Sequence, residues 1–297
     1  MTSRILLALA LLWGAGALAS ESTVIGRLDI KTIDAKVFPY PHTLRIWTPP
    51  GYDDPANAAK TYPVLYLLDG QNLFDRATSY SGTEWGVDET VTKLIGEGKI
   101  PPLVVVGVDN AGEKRAEEYL TDDDPFNPGA RDTKGRLFPG FLIKDVMPFV
   151  KANYRIAEGP DNTAIGGSSY GGIAALNFAI NEPFLASRVL IESPSLQVGN
   201  GAVFRETLDL ARISGRIYIG MGSQETGKPD IDRMHVNGAH RLAENLASAA
   251  FPSVVHLTVG EGDKHHESAW SRRLPEALTF LYGTDEGNVK SATPFLK

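Results

Sequence analysis

Two short, unbroken apolar runs, each ending in a turn signal, narrow the possible folds of this chain more than any other feature: PVLYLLDG at 63–70 and LVVVGVD at 103–109. A strand with one wet face alternates apolar and polar residues, whereas a run that is apolar at nearly every position reads as a strand buried on both faces. Runs of the same kind recur at Thr163–Gly167, Val189–Glu192, Ile217–Met221 and Val254–Val259. Two β-type runs come earlier, Thr23–Ile33 and Thr43–Thr48, the second closed by Pro49-Pro50-Gly51.

Helical patterns fill the gaps. Asp88–Ile95 is short, and Gly172–Ile180 is apolar nearly all round. Ala239–Ala250 carries apolar residues at 239, 242, 243, 246, 247 and 250, a stripe of helical period. Ser268–Leu281 closes the series. Phe138–Tyr154 contains Pro148, which lacks a backbone N–H and predicts a break or kink. Strands alternating with helices imply parallel βαβ units, so the fold class is α/β, a mostly parallel central sheet with helices on both faces. The polar stretch Thr121–Arg136 is a long loop, and loops of that length are usually functional.

The first residues, MTSRILLALALLWGAGALAS, place Arg4 before an apolar run and end in Ala17-Leu18-Ala19. A charged start, an apolar stretch too short for a membrane anchor and an A-x-A site describe a secretory leader. The division expected is a leader at 1–19, a single domain at 20–283 and a polar tail at 284–297, with export to a periplasm or the medium. The chain has 29 basic and 36 acidic residues, a net charge of −7, and no Lys/Arg run of five. The basic footprint of a nucleic-acid or anionic-membrane binder is therefore missing. It has no cysteine, which excludes disulfides, a thiol nucleophile and the usual structural zinc sites.

The strongest motif is Gly167-x-Ser169-x-Gly171, which follows an apolar β run and opens an apolar helix. In that context G-x-S-x-G puts a serine on a tight strand-to-helix turn, hydroxyl exposed and helix N–H groups close by. Ser168 is the alternative nucleophile, with its glycines in the wrong register. A serine hydroxyl needs a base, and the base needs an orienting acid, in the chain order Ser, acid, His. Beyond the run at Ile217–Met221 the carboxylate chosen is Glu225, with Asp230 and Asp232 as alternatives. Between the last strand and the last helix stands His265-His266. Adjacent residues point apart and no HExxH spacing occurs, so this pair is not read as a metal site. His42, His235, His240 and His256 are read as structural or surface residues.

Four stretches, YLLDGQNLFD (66–75), EWGVDET (84–90), IGGSSYGGIAAL (165–176) and HHESAWSRRLPEALTFLYG (265–283), resemble the putative-esterase family of α/β-hydrolases, its enterochelin-esterase-like members most closely. The resemblance runs from about Thr43 to Gly283 and implies a single-domain α/β-hydrolase. It implies Ser169 as nucleophile, Glu225 as acid and His265 as base, His265 being the histidine that aligns on H-x-E-x-x-W with Glu267 and Trp270. It further implies an oxyanion hole made by the backbone N–H groups of Gln71 and Tyr170, and substrate contacts at Arg115, in RAEEY (115–119), and at Trp270. No cofactor and no metal are implied. The expected partner is a small-molecule ester, with no nucleic acid and no membrane anchor once the leader is removed. A siderophore trilactone, a feruloyl or acetyl polysaccharide ester and transfer of the acyl group to an alcohol are all compatible with these residues. A noncatalytic module is the reading opposed by the Ser, Glu, His order.

Overall fold

The computed structural model describes residues 21–209, 212–249 and 253–283. The expected leader and the expected tail lie outside the described residues. Eight strands form a single sheet there: β1 Arg27–Ile33, β2 His42–Thr48, β3 Val64–Leu68, β4 Val104–Val108, β5 Thr163–Ser168, β6 Arg188–Glu192, β7 Gly215–Gly222 and β8 Ser253–Gly260. Their spatial order is β1-β2-β4-β3-β5-β6-β7-β8. β1 and β2 pair antiparallel, as do β2 and β4, and every later pair is parallel. All five residues of β3 and of β4 are buried, as their apolar runs predict.

Alternate residues of the central strands feed two cores. Val64, Tyr66 and Leu68 belong to the larger one, Leu65 and Leu67 to the other. Eight α-helices are described: α1 Val87–Gly96, α2 Arg115–Tyr119, α3 Phe138–Phe141, α4 Met147–Asn153, α5 Tyr170–Asn181, α6 Ala202–Asp209, α7 Pro229–Ala247 and α8 Glu267–Tyr282. α3 to α7 cover the face of the larger core, and α1 packs with α8 on the other. Layers of helix on both faces follow from strands that have no wet face to offer.

The expected helix over Phe138–Tyr154 is interrupted as Pro148 predicts. α3 runs into a π-helical stretch, Leu142–Val146, and α4 starts with Pro148 in its first turn. The wider π turn accommodates a residue that cannot donate to the carbonyl four positions back and would collide with it. α7 begins at Pro229, ten residues before the apolar stripe. Its first half exposes Ile231 and Met234, so no apolar period announces it. α6 is eight residues long. Among the described residues no helix is long and apolar enough to cross a membrane.

The chain leaves β3 for β4 on one side and returns to β5 on the other. Such a reversal opens a crevice beyond the carboxyl ends of the two central strands, and this is where sheets of this kind bind ligands. Leu67 pairs with Gly166, so the turn after β3 and the turn after β5 meet at that crevice.

Candidate active site

At the end of β5 the backbone turns sharply into α5. Ser169 is the pivot, with φ 58° and ψ −124°, a conformation costly for any residue with a side chain. Two things hold it there. Its N–H donates to the Glu192 carbonyl at the end of β6, 2.9 Å away. The flanking glycines also meet: a Cβ on Gly167 would lie 2.6 Å from the carbonyl of Gly171. Ser169 is partly exposed, while Ser168 is the last residue of β5 and only 3 % exposed. Ser169 Oγ lies 3.4 Å from Ser195 Oγ. Among the described residues no hydrogen bond joins it to His265.

The loop after β7 brings Glu225 to the loop after β8. His265 Nδ1 is 2.6 Å from Glu225 Oε2, and the Glu225 side chain is 1 % exposed. The other oxygen, Oε1, accepts from Ser193 Oγ at 2.7 Å and from the Gly222 N–H at 2.5 Å. The two alternative acids are elsewhere engaged. Asp230 is exposed and pairs with Arg233, and Asp232 accepts from the backbone and hydroxyl of Thr226. His266 caps α8, its Nδ1 accepting from the Ser268 N–H at 3.1 Å. The two neighbouring rings thus face different partners.

Burial pushes the Glu225 carboxyl up, but the hydrogen bonds from His265, Ser193 and Gly222 outweigh it and hold the group below the usual carboxylate range. An acid whose folded pKa lies below its unfolded value of about 4.3 adds stability that is complete above that value and is lost as pH falls through the folded one. Glu225→Gln is therefore expected to be less stable at neutral pH by about 2 kcal/mol, the scale of a lost charged hydrogen bond. Urea unfolding at several pH values should show the gap closing below about pH 4. A gap independent of pH would mean that Glu225 is not ionised in the folded protein.

Trp270 is 5 % exposed. Its ring stands edge-on to His265 at 5.3 Å between centroids, and its Nε1–H donates to Ser193 Oγ at 3.0 Å. Below it, Arg273 forms a buried cluster with Glu192 and Asp263. On the other side of the crevice, Asp69 takes the left-handed conformation, with φ 60°, before the Gly70–Asn72 turn. Arg115 grips its carboxylate with two hydrogen bonds, 2.7 and 2.8 Å, and Asn110 Nδ2 adds a third at 2.6 Å. The guanidinium also lies 5.2 Å from the centre of the Tyr170 ring. Its side chain is 26 % exposed. The rest of α2 is no solvated turn: Glu118 is buried against His42 and Tyr119 is fully buried. The N–H groups of Gln71 and Tyr170 have no hydrogen-bond acceptor among the described residues. The polar loop 121–136 reaches the same edge, where Asp124 Oδ2 accepts from Tyr170 Oη at 2.7 Å.

The end of β6, Glu192-Ser193-Pro194-Ser195, contributes three polar side chains that stay unannounced beside the β7 and β8 ends. The signal was present, since a carboxylate and hydroxyls directly follow a buried apolar run. Among the described residues no group of three or more His, Asp or Glu side chains is arranged to hold a metal ion.

An open, mostly parallel sheet with helices on both faces and a serine on a strand-to-helix turn at its switch point is an α/β-hydrolase fold. Solved structures with this fold include an IroE-like serine hydrolase from Shewanella oneidensis, with a TM-score of 0.69 and 19% identity over 86% of this chain and 80% of that one. A ferulic acid esterase matches with a TM-score of 0.64 and 18% identity, over 86% and 98% of the two chains. The chain belongs to the family described as Putative esterase, whose model matches residues 36–281. It is a carboxylic-ester hydrolase by that membership. An iron(III) enterobactin esterase of Dickeya dadantii is 27% identical over 262 residues, covering 83% of this chain and 53% of that protein. The chain thus spans about half the length of that relative.

Proposed function

We propose that the protein is an exported serine esterase that cleaves its ester through an acyl-enzyme. The observation that carries this reading is the 2.6 Å contact of His265 with Glu225, on loops that end at the same sheet edge as the Ser169 turn. His265 takes the Ser169 proton as Oγ attacks the ester carbonyl, and the buried carboxylate stabilises the imidazolium that forms. The Gln71 and Tyr170 N–H groups, free of other acceptors, receive the oxyanion. His265 then protonates the leaving alcohol, and water repeats the cycle on the acyl-enzyme. Serine–imidazole hydrogen bonds of catalytic pairs tighten on substrate binding in many enzymes.

Trp270 is assigned to holding the imidazole rather than to contacting substrate, because little of its surface is free. Arg115 keeps a partly exposed edge at the crevice but is held by Asp69, which gives it a part in fixing the Gln71 turn. For the substrate we favour a siderophore-type ester such as a trilactone, on the strength of the enterobactin esterase relative. Export rests on the leader read from the sequence.

Covalent labelling by a fluorophosphonate tests the mechanism. Hydrolysis of a panel comprising a catecholate trilactone, a feruloyl ester and an acetyl ester, with and without an acceptor alcohol, tests the substrate. Loss of labelling on heating but not on chelation is expected. Turnover should be unchanged after dialysis against EDTA, because the proposed steps use side chains and backbone N–H groups alone. Activity abolished by EDTA and restored by a divalent metal would overturn the mechanism.

A further inference from the structure

The proposed triad leaves one side chain unexplained. Ser193 is 2 % exposed and holds φ 40°, a left-handed conformation that a glycine would adopt more cheaply. A residue other than glycine at such a position points to a use for its side chain. Its backbone is pinned from two directions. Its N–H donates to the Gly220 carbonyl of β7 at 2.8 Å, and the carbonyl just before it, that of Glu192, receives the Ser169 N–H.

The hydroxyl sits where three elements meet. Trp270 Nε1–H of α8 donates to Ser193 Oγ at 3.0 Å, and Arg273 Nη2 approaches it at 3.4 Å. A serine hydroxyl has one proton and two lone pairs. With N–H donors on the lone pairs, the proton is left to point at the remaining partner, Glu225 Oε1 at 2.7 Å. The Gly222 N–H donates to the same oxygen. Two donors on Oε1 fix the plane of the carboxylate and turn Oε2 toward His265 Nδ1.

Resting on the esterase reading above, we propose that Ser193 is a positioning residue, which orients Glu225 and so links the nucleophile turn to the acid–base pair. Trp270 and Arg273 direct its proton, and Ser193 acts through Glu225 without touching substrate. Its loss should therefore lower kcat and leave KM unchanged, because the alignment of His265 matters in the transition state and not in ground-state binding.

The test is steady-state hydrolysis of p-nitrophenyl acetate by Ser193→Gly and Ser193→Ala, each in the parent and in a Glu225→Gln background. Ser193→Gly removes the hydroxyl from a backbone that suits glycine, so folding is spared. The expected result is a fall in kcat of about 10- to 100-fold, the scale of one hydrogen bond to a charged group, with KM within about two-fold of the parent. In the Glu225→Gln background the same substitution should cost less than about three-fold, since the two changes remove one interaction. Additive losses, a raised KM at constant kcat, or unchanged kinetics would each overturn the proposal. A Ser169→Ala variant run alongside separates the two readings. If it keeps its turnover, the esterase mechanism and the Ser193 role fall together. If it is dead while Ser193→Gly is unimpaired, the Ser193 role alone falls.

Discussion

Replacing Ser169 by alanine is expected to lower kcat/KM for an activated ester by about 10⁴- to 10⁶-fold, as removal of a triad nucleophile does elsewhere, and to abolish fluorophosphonate labelling. The fold should be unaffected. The hydroxyl's contact is a 3.4 Å approach to Ser195, and the strained backbone is already borne by a residue with a Cβ. Residual activity would come from the N–H groups of Gln71 and Tyr170, which the substitution leaves in place. Ser168→Ala is the control. That side chain is buried at the end of β5, so its loss should cost some stability and little rate. Near-parental turnover in Ser169→Ala, with a dead Ser168→Ala, would assign the nucleophile to the other register.

The second large effect separates the two adjacent histidines. His265→Ala should be nearly as damaging as Ser169→Ala, because no other described imidazole bonds to Glu225. His266→Ala should keep kcat/KM within a few-fold. It removes a helix cap, since His266 Nδ1 accepts the Ser268 N–H, and the expected cost is about 1 kcal/mol of stability. Kinetics therefore separate the variants, His265→Ala being dead and His266→Ala active. Thermal unfolding should show a loss in both, since the first also takes a hydrogen-bond partner from the buried Glu225 carboxylate. The reverse pattern would move the base to His266.

Much of the site was legible because its pieces are local. The G-x-S-x-G turn needs a strand, two glycines and a helix start, all within a few residues, and the structure has that turn where the pattern stands. The carboxylate that meets His265 was harder to read. Glu225, Asp230 and Asp232 lie within eight positions of one another after the same strand, and no periodicity distinguishes them. Ser193 went unnoticed for a related reason: a serine after a buried strand signals nothing until the residues around it are known. Trp270 and Arg115 were read as substrate contacts from a motif, which carries residue identity but not accessibility. One proved buried against His265, the other held by Asp69.

What the sequence determined by itself was the layered α/β architecture, the interruption of the α-helix before Pro148 and the serine turn. Each follows from the hydrogen-bonding limits and apolar period of neighbouring residues, so no distant part of the chain is needed to specify it. Only the tertiary structure decided which carboxylate meets which histidine, and what holds that carboxylate in place. Those contacts join residues 40 positions apart for His265 and Glu225, 32 for Ser193 and Glu225, 77 for Trp270 and Ser193, and 46 for Arg115 and Asp69. The order of strands in the sheet sets which loops become neighbours at its carboxyl edge. That order arises from packing both faces of the whole sheet, which no window of sequence contains.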